Sequence, residues 1–378
     1  MSKGQLPQHG SPSTARLVAG RFTFIDGLRG IAAMAVTVFH AYEGNHISDL
    51  MIAMPGWVQW VVMRGHLGVA IFFVLSGFVI SHSLRKQALT MRFVGEFFIR
   101  RSIRLNPPYW FAIALVIGFG AISAYFVKGK LPPAISLAQV MAHAFYLQEV
   151  LGYNELNPIF WTLCQEMQFY LAYALLLALT KNDPGKWMQG KATTIGLALA
   201  ALISLLWPLE IATAEPWRGS FLPLWYCFLL GAGPYWSWRY PGIKNYYLAY
   251  ALILLLSGIL HGNELTVACS LMSLGLWYAT RSRLVYTGLD WRGMQWLGAI
   301  SYSLYLTHNT ISGAAYRVGF SITGKSVASE LFWFLATSAV CIAFASAVWW
   351  LVEKPSMAFA RRITLSSEIG KGVKVATD

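Results

Sequence analysis

The chain has 378 residues, of which 56% are hydrophobic, 15% are aromatic and only 12% are charged. Soluble domains carry about 25% charged residues, so this composition excludes a disordered chain and argues against a soluble enzyme. The net charge of +13 would favour nucleic-acid binding in a soluble protein. Here the composition instead predicts a polytopic membrane protein with no nucleic-acid partner.

The chain begins with a polar segment and continues with a series of apolar stretches. Residues 1–21, rich in Ser, Pro, Gly and Gln, predict a flexible cytoplasmic tail and not a cleaved signal peptide. A spanning helix needs roughly 20 apolar residues. Ten stretches reach or approach that length: 24–43, 67–84, 107–127, 161–180, 193–209, 220–238, 246–261, 264–280, 293–315 and 329–352.

The segment 135–149 is too short and too polar to be an eleventh crossing. It contains Gln139, His143 and Gln148, so it predicts an interfacial or re-entrant helix. The sequence therefore predicts an all-α, polytopic transmembrane helix bundle of about ten spanning helices. The membrane domain is expected at 22–355, and a cytoplasmic C-terminal tail at 356–378.

The distribution of positive charge tests this layout. With the N-terminus inside, 22 Lys and Arg residues fall on the inner side and six on the outer side, while Arg29 lies within the first span. This bias agrees with the positive-inside rule and predicts that both termini are cytoplasmic.

Four cysteines lie far apart in apolar stretches, at 164, 227, 269 and 341. They have no paired spacing, so they predict small buried side chains and neither a disulfide framework nor a metal site.

Ionisable residues in the first predicted span indicate a functional face. Asp26 and Arg29 lie near its inner end, and His40 lies near its outer end. Arg29 and His40 are eleven positions apart, about three helical turns, which places them on one face about 16 Å apart. Such residues usually face the bundle interior or a water-filled cavity. Two alternatives remain open: an Asp26–Arg29 ion pair, and His40 as an interfacial residue.

Two later spans carry further polar side chains. Glu166 lies about 7 Å below the outer start of the fourth span and needs a partner or water there. His308 lies in the outer half of the ninth span, beside Tyr302, Tyr305 and Asn309. His40, Glu166 and His308 are expected at similar depth, as a general base with helpers. The alternatives are that Glu166 is a hydrogen-bond anchor between helices and that His308 is structural.

A basic cluster precedes the third span on the predicted inner side. Arg101 and Arg104 share one helical face, and arginine suits phosphate through its bidentate geometry. The alternatives are ordinary positive-inside charge or contact with lipid headgroups. Pro107 and Pro108 are expected to form a stiff entry to the third span.

The chain resembles the integral membrane proteins of acyltransferase family 3. Arg29 and His40 match the family's basic residue and histidine separated by ten residues, Arg101 and Arg104 match its Arg-x-x-Arg, and Glu166 matches its glutamate after a tryptophan. Five segments and a terminal VEKP (352–355) carry the resemblance: FIDGLRGIAAMAVTVFH (24–40), GVAIFFVLSGFVI (68–80), FIRRSIRLNPPYW (98–110), WTLCQEMQFYL (161–171) and LGAISYSLYLTH (297–308).

The resemblance implies an O-acyltransferase that takes an acyl group, usually acetyl, from cytoplasmic acyl-CoA. Acyl-CoA would be a co-substrate, with no metal and no permanently bound cofactor. The acceptor would be an extracytoplasmic hydroxyl, most often on a sugar of a surface polysaccharide or glycolipid, including lipid-linked sugars. The location would be the bacterial cytoplasmic (inner) membrane, in contact with its lipids, in a stand-alone form without a hydrolase-like domain. Ala70 and Met167 stand where the family often has acidic residues, which weakens any inference about the acceptor.

These expectations combine into a mechanism. Arg101 and Arg104 would hold the CoA phosphates, and the pantetheine arm would pass Arg29 towards His40. His40 would act as general base or briefly carry the acyl group, and Glu166 would orient it. His308, Tyr302, Tyr305 and Asn309 would bind the acceptor or assist. The alternative is a transporter or flippase for a small anion or a lipid-linked sugar, although no repeat relates two halves of the chain.

Overall fold

The computed structural model describes residues 21–85, 89–126, 134–180 and 190–363. Within these ranges the regular structure is helical, and no strand occurs. Most of the two predicted tails, residues 1–20 and 364–378, lies outside the described residues. The prediction of an all-α polytopic bundle is confirmed.

Fifteen α-helices follow one another in the described part of the chain. In chain order they are α1 Thr23–Glu43, α2 Ser48–Ala53, α3 Gly56–Met63, α4 Gly68–Leu84, α5 Met91–Phe126, α6 Leu137–Ala144, α7 Trp161–Leu179, α8 Lys191–Ser204, α9 Trp225–Arg239, α10 Lys244–Leu260, α11 Glu264–Arg281, α12 Leu284–Thr287, α13 Arg292–Thr323, α14 Val327–Val348 and α15 Lys354–Arg362. Short 3₁₀ turns cover Gly65–Leu67, Leu222–Leu224 and Pro241–Ile243, and a π-helical turn covers Trp349–Glu353.

Each of the ten predicted spans coincides largely with a helix, and α6 occupies the short polar segment. Six helical stretches of the described chain are both long and apolar enough to cross a membrane. The helix α13 is about 48 Å long, but its interior hydroxyl and amide groups lower its mean hydropathy. The number of crossings and the side of the two termini stay predictions.

The helix α5 differs from the prediction at its start. It runs without interruption through the arginine cluster and through Pro107 and Pro108, which lie inside the helix. At 36 residues it is about 54 Å long, well beyond the roughly 30 Å of a hydrocarbon core. The predicted entry at Pro107 is therefore wrong, and the arginines belong to the same rigid element as the span.

Close backbone contacts hold the bundle together around α4. The helix α4 packs against α9, and α1 packs against both α4 and α13. A Cβ atom on Gly77 would lie 1.9 Å from the carbonyl oxygen of Phe228, and one on Gly231 would lie 1.8 Å from that of Val74. Small residues permit this approach between spanning helices. The four cysteines are buried and free, as predicted.

The helix α14 continues through the π-helical turn into α15. The turn ends at Glu353, whose side chain is 3% exposed and accepts a hydrogen bond of 2.6 Å from Ser303 Oγ of α13. π-Turns inside α-helices frequently occur at functional sites. The helix α15 includes residues 356–362, the start of the predicted C-terminal tail, and packs against α5.

Candidate active site

A pair of histidine rings lies near the end of α1. His40 of α1 and His308 of α13 have ring centroids 5.3 Å apart. Nδ1 of His40 lies 2.8 Å from Oε2 of Glu43, one turn further along α1. A carboxylate on Nδ1 fixes the proton there and leaves Nε2 as the basic nitrogen. This arrangement suits His40 to take a proton from a hydroxyl group.

His308 is fully buried beside His40. Its Nδ1 lies 2.8 Å from the carbonyl oxygen of Tyr305 and 3.1 Å from that of Leu304, so Nδ1 carries the proton and Nε2 is an acceptor. That Nε2 has no hydrogen-bond partner among the described residues. A buried acceptor without a partner is costly, which indicates a site for a donor such as a substrate hydroxyl.

Asn309 anchors the connection between α6 and α7. Its Nδ2 donates to Oδ1 of Asn157 at 3.1 Å, and Nδ2 of Asn157 donates to Oγ1 of Thr310 at 3.3 Å. Asn309 therefore positions the segment that borders the histidine pair, and its side-chain amide is already engaged.

Glu166 lies in a different cluster from His40. Oε1 of Glu166 accepts a hydrogen bond of 2.5 Å from Ser76 Oγ of α4 and another from the Tyr170 hydroxyl. Arg101 donates to the Tyr170 hydroxyl, lies 3.9 Å from Oε1 of Glu166, and stacks its guanidinium 3.7 Å from the centre of the Tyr170 ring.

The predicted pairing of Glu166 with His40 is therefore wrong. No hydrogen bond or ion pair joins these two side chains in the described structure, because α7 packs on α4 and α5 whereas α1 packs on α4 and α13. The Arg101 side chain is only 15% exposed and lies in this cluster with Glu166.

A central cavity of about 100 Å³ adjoins the Glu166 cluster. It is lined by Arg29, Ser76, Arg101, Glu166, Tyr302 and Tyr305, among others. The Tyr302 hydroxyl donates to the carbonyl oxygen of Leu105 in α5, at 3.0 Å, and the Tyr305 hydroxyl lies 2.8 Å from Thr162 Oγ1. The structure thus brings together six of the nine predicted site residues here, including Arg104.

An arginine cavity of about 370 Å³ lies at the opposite end of the bundle from His40. Its described lining contains five arginines and no carboxylate; the arginines are Arg85, Arg100, Arg101, Arg104 and Arg361. Arg101 and Arg104 line both the arginine cavity and the central cavity. A concentration of guanidinium groups with no carboxylate in the described lining is suited to phosphate.

Arg29 and Asp26 do not form the ion pair that was left open. Asp26 instead accepts from Nε of Arg21 at 2.7 Å. Arg29 lines the central cavity, and both Arg29 and Arg104 act electrostatically on the buried Glu353. Glu353 is thus an acidic countercharge near two cations that the site uses.

Several residues of this site are not among those predicted from the sequence. Glu43 could have been found from its three-residue spacing to His40 in a helix. Glu353 carried a signal in the VEKP segment. Ser76 and Tyr170 carried no comparable signal, because only the packing of α4 against α7 shows that they meet Glu166.

Comparison with known proteins adds independent information. The sequence profile of a family described as an acyltransferase domain matches residues 22–352. The chain is 26% identical over 370 residues to the Acyltransferase MdmB of Streptomyces mycarofaciens, covering 89% of this chain and 92% of that protein. No solved structure matches the chain significantly.

Two further relatives have names that describe a reaction. A putative membrane-bound transacylase, BcsY of Komagataeibacter xylinus, is 28% identical over 81% of this chain and 77% of its own length. The Peptidoglycan O-acetyltransferase OatA of Listeria monocytogenes is 28% identical over 48% of this chain and 28% of its own length. These matches favour an enzyme over the transporter alternative.

Proposed function

The chain belongs to acyltransferase family 3, and we propose that it transfers an acyl group, in the first instance acetyl, from cytoplasmic acyl-CoA to a sugar hydroxyl on the opposite side of the membrane. One observation carries the proposal: the arginine cavity and the central cavity share Arg101 and Arg104, and Arg29 in the central cavity lies on the same face of α1 as His40. These groups mark a route along the bundle from a phosphate site to a base.

The donor end of this route is the arginine cavity. The 3′-phosphate and diphosphate of CoA carry several negative charges, and the five arginines supply positive charge with no carboxylate in the described lining. The positive-inside rule puts this end in the cytoplasm, where acyl-CoA is made. The pantetheine arm is long and flexible, so it can extend through the central cavity past Arg29.

The transfer itself needs a base and a carbonyl. The acceptor hydroxyl gives its proton to Nε2 of His40 while its oxygen bonds to the thioester carbonyl carbon. The carbon–sulfur bond then breaks, and the leaving CoA thiolate takes the proton from His40 as free CoA. Glu43 stabilises the imidazolium that forms between these steps. If His40 instead carries the acyl group briefly, an acyl-His40 intermediate forms, and a radiolabelled acyl group would then be found bound to the protein.

The acceptor end is the region of His40 and His308. The unpartnered Nε2 of His308 accepts a hydrogen bond from a hydroxyl that also faces His40. A sugar hydroxyl is the acceptor favoured by the name of the Listeria relative, a peptidoglycan O-acetyltransferase. We place the protein in a bacterial inner membrane as a multi-pass protein, with no metal and no permanently bound cofactor in the reaction.

The proposal is tested with purified protein in nanodiscs and radiolabelled acetyl-CoA. We expect wild type to release CoA, with slow hydrolysis when no acceptor is added, and His40→Ala to lose this release. His66→Ala is the matched control, because His66 is an exposed histidine whose Nδ1 lies 2.9 Å from the backbone carbonyl oxygen of Met63. If neither acetyl-CoA nor succinyl-CoA or longer acyl-CoA binds or turns over, the proposal is wrong.

A second comparison tests the arginine cavity. Arg361→Ala removes a guanidinium from its wall, whereas Arg92→Ala removes an exposed arginine of α5 that is paired with Glu96. We expect CoA affinity to fall about tenfold in Arg361→Ala and to stay within about twofold in Arg92→Ala. Equal losses in the two variants would contradict a specific phosphate site.

A further inference from the structure

A third cavity, of about 360 Å³, lies at the end of α7 opposite to the arginine cavity. We call it the loop cavity, because the segment between α6 and α7 and the segment before α9 form most of its wall. Its lining includes Glu149, Glu155, Trp161, Gln165, Glu215 and Arg218. None of its described lining residues belongs to the central cavity or the arginine cavity.

The wall of the loop cavity is held by a network of hydrogen bonds. Nε2 of Gln165 donates to Oε2 of Glu149 at 3.0 Å and to the carbonyl oxygen of Gly219 at 3.3 Å. The backbone N–H of Gly219 donates to Oε2 of Glu215 at 3.2 Å. Gly219 has a φ of +68°, and a Cβ there would lie 2.6 Å from Cβ of Glu149. Only glycine fits this approach, so the two segments meet in one defined geometry.

Two acceptor atoms in the wall have no partner. Gln165 is 4% exposed, and its Oε1 makes no hydrogen bond within the described ranges. Oε1 of Glu155 is unpartnered in the same way, while its Oε2 lies 3.4 Å from Nε2 of His143. Buried polar atoms are almost always hydrogen-bonded in native proteins. These two atoms therefore point to a ligand or ordered water that donates hydrogen bonds.

The charge and shape of the wall narrow the class of ligand. The wall holds three carboxylates and one guanidinium, and this excess of negative charge repels anions. The carboxylates and amides accept hydrogen bonds from hydroxyl groups. Trp161 adds an aromatic surface for an apolar ring face. We propose that the loop cavity binds an uncharged sugar unit of the acceptor, next to the unit that is acylated.

The position of the cavity fits this role. Asn157, in the segment between α6 and α7, is bonded to Asn309 and Thr310 beside His308, and the same segment supplies Glu149 and Glu155 to the loop cavity. The segment thus borders both places, so an oligosaccharide held in the cavity reaches the histidine pair along it. This inference rests on the proposed function for its biological meaning, but sugar binding itself needs no acyl donor.

The test measures sugar binding in the absence of acyl-CoA. Saturation-transfer NMR on the full protein in nanodiscs compares neutral disaccharides, cellobiose and chitobiose, with the anion glucuronate. We expect a neutral disaccharide to bind in the millimolar range and glucuronate not to bind. Trp161→Leu should weaken the neutral sugar about tenfold, while Trp161→Phe keeps the aromatic face and most of the binding.

Matched control variants distinguish the effect of a change in the loop cavity from the general effect of losing a charge or a tryptophan. Glu215→Gln removes a charge from the wall and should weaken the exclusion of glucuronate, whereas Glu210→Gln removes an exposed charge of the same connection outside the cavity. Trp217→Leu is the control for loss of a tryptophan. Equal binding of neutral and anionic sugars to wild type, no binding of either neutral sugar, or full binding to Trp161→Leu would overturn the inference. Loss of acyl-CoA turnover with sugar binding intact would overturn the proposed function alone.

Discussion

Glu43 lies one helical turn beyond His40, and its Oε2 is 2.8 Å from Nδ1 of that histidine. The carboxylate is 57% exposed, while the His40 side chain is 14% exposed. The acidic partner of the base is thus local, on the same helix, and reaches it from the solvent side.

The first prediction concerns this pair. Glu43→Gln loses the negative charge that stabilises the imidazolium, so we expect kcat to fall about tenfold to a hundredfold with little change in the KM for acyl-CoA. Glu43→Asp should recover part of the rate. Glu264→Gln, which removes an exposed glutamate paired with Arg64, should leave the rate near wild type. A normal kcat in Glu43→Gln would show that Glu43 does not assist His40.

The second prediction concerns the ion pair of Arg101 and Glu166. The two side chains are only 15% and 24% exposed and share Tyr170, so we expect a coupling energy of about 1–3 kcal/mol in a double-mutant cycle with Arg101→Met and Glu166→Gln. Unfolding in mixed micelles measures it. The exposed pair of Arg92 and Glu96 is the comparison, with an expected coupling of about 0.3–0.5 kcal/mol. Similar values for the two pairs would contradict the prediction.

The third prediction concerns Glu353 as a countercharge. Glu353→Gln keeps the hydrogen bond from Ser303 but removes the charge near Arg29 and Arg104. We expect the KM for acyl-CoA to rise about fivefold, equivalent to about 1 kcal/mol, with a smaller change in kcat. Glu330→Gln is the control, since Glu330 is a buried glutamate of α14 that accepts from the backbone of Leu50. An unchanged KM would show that Glu353 does not position the cations.

The fourth prediction concerns the contact between α4 and α9. Gly77→Ala places a methyl group on the carbonyl of Phe228, so we expect a loss of about 1–3 kcal/mol or more and a lower Tm. Gly118→Ala is the matched control, because no described atom beyond the adjacent residues and backbone of its own helix lies within 4 Å of its Cβ position, and alanine favours a helix. A Tm for Gly77→Ala at or above that of wild type would mean that the helices can separate without cost.

The fifth prediction concerns pH. Burial, Lys325 and Arg317 together lower the pKa of His46, in the connection between α1 and α2, below its usual value of 6.5. The unfolded chain therefore binds more protons as the pH falls through 6.5, and stability is lost between that pH and the lowered pKa. His46→Phe keeps the stacking on Tyr316 at 4.4 Å but cannot titrate. Its Tm should fall less than that of wild type between pH 7 and pH 5, and Lys325→Met should show an intermediate fall.

The sequence predicted the features that depend on neighbours along the chain. Apolar stretches located the helices, and the spacing of Arg29 and His40 placed both on one face of α1. Helix ends were less accurate, because the arginines and prolines of α5 are compatible with one continuous helix.

The features that depend on packing between helices were not predictable in this way. Spacing cannot show that Glu166 of α7 meets Ser76 of α4 and Arg101 of α5, so its partner was assigned to the wrong helix. The pairing of His40 and Glu43 is a different case, since a three-residue spacing in a helix indicates that the two side chains can meet.

The glycine contact between α4 and α9 also has a consequence for biosynthesis. Gly77 and Gly231 are 154 positions apart, which a ribosome covers in roughly 8–30 s at about 5–20 residues per second. During that interval α4 is already made, but the partner backbone that fits its glycine face does not yet exist. The nascent bundle must therefore hold α4 in lipid or against the insertion machinery, and its assembly completes only when α9 arrives.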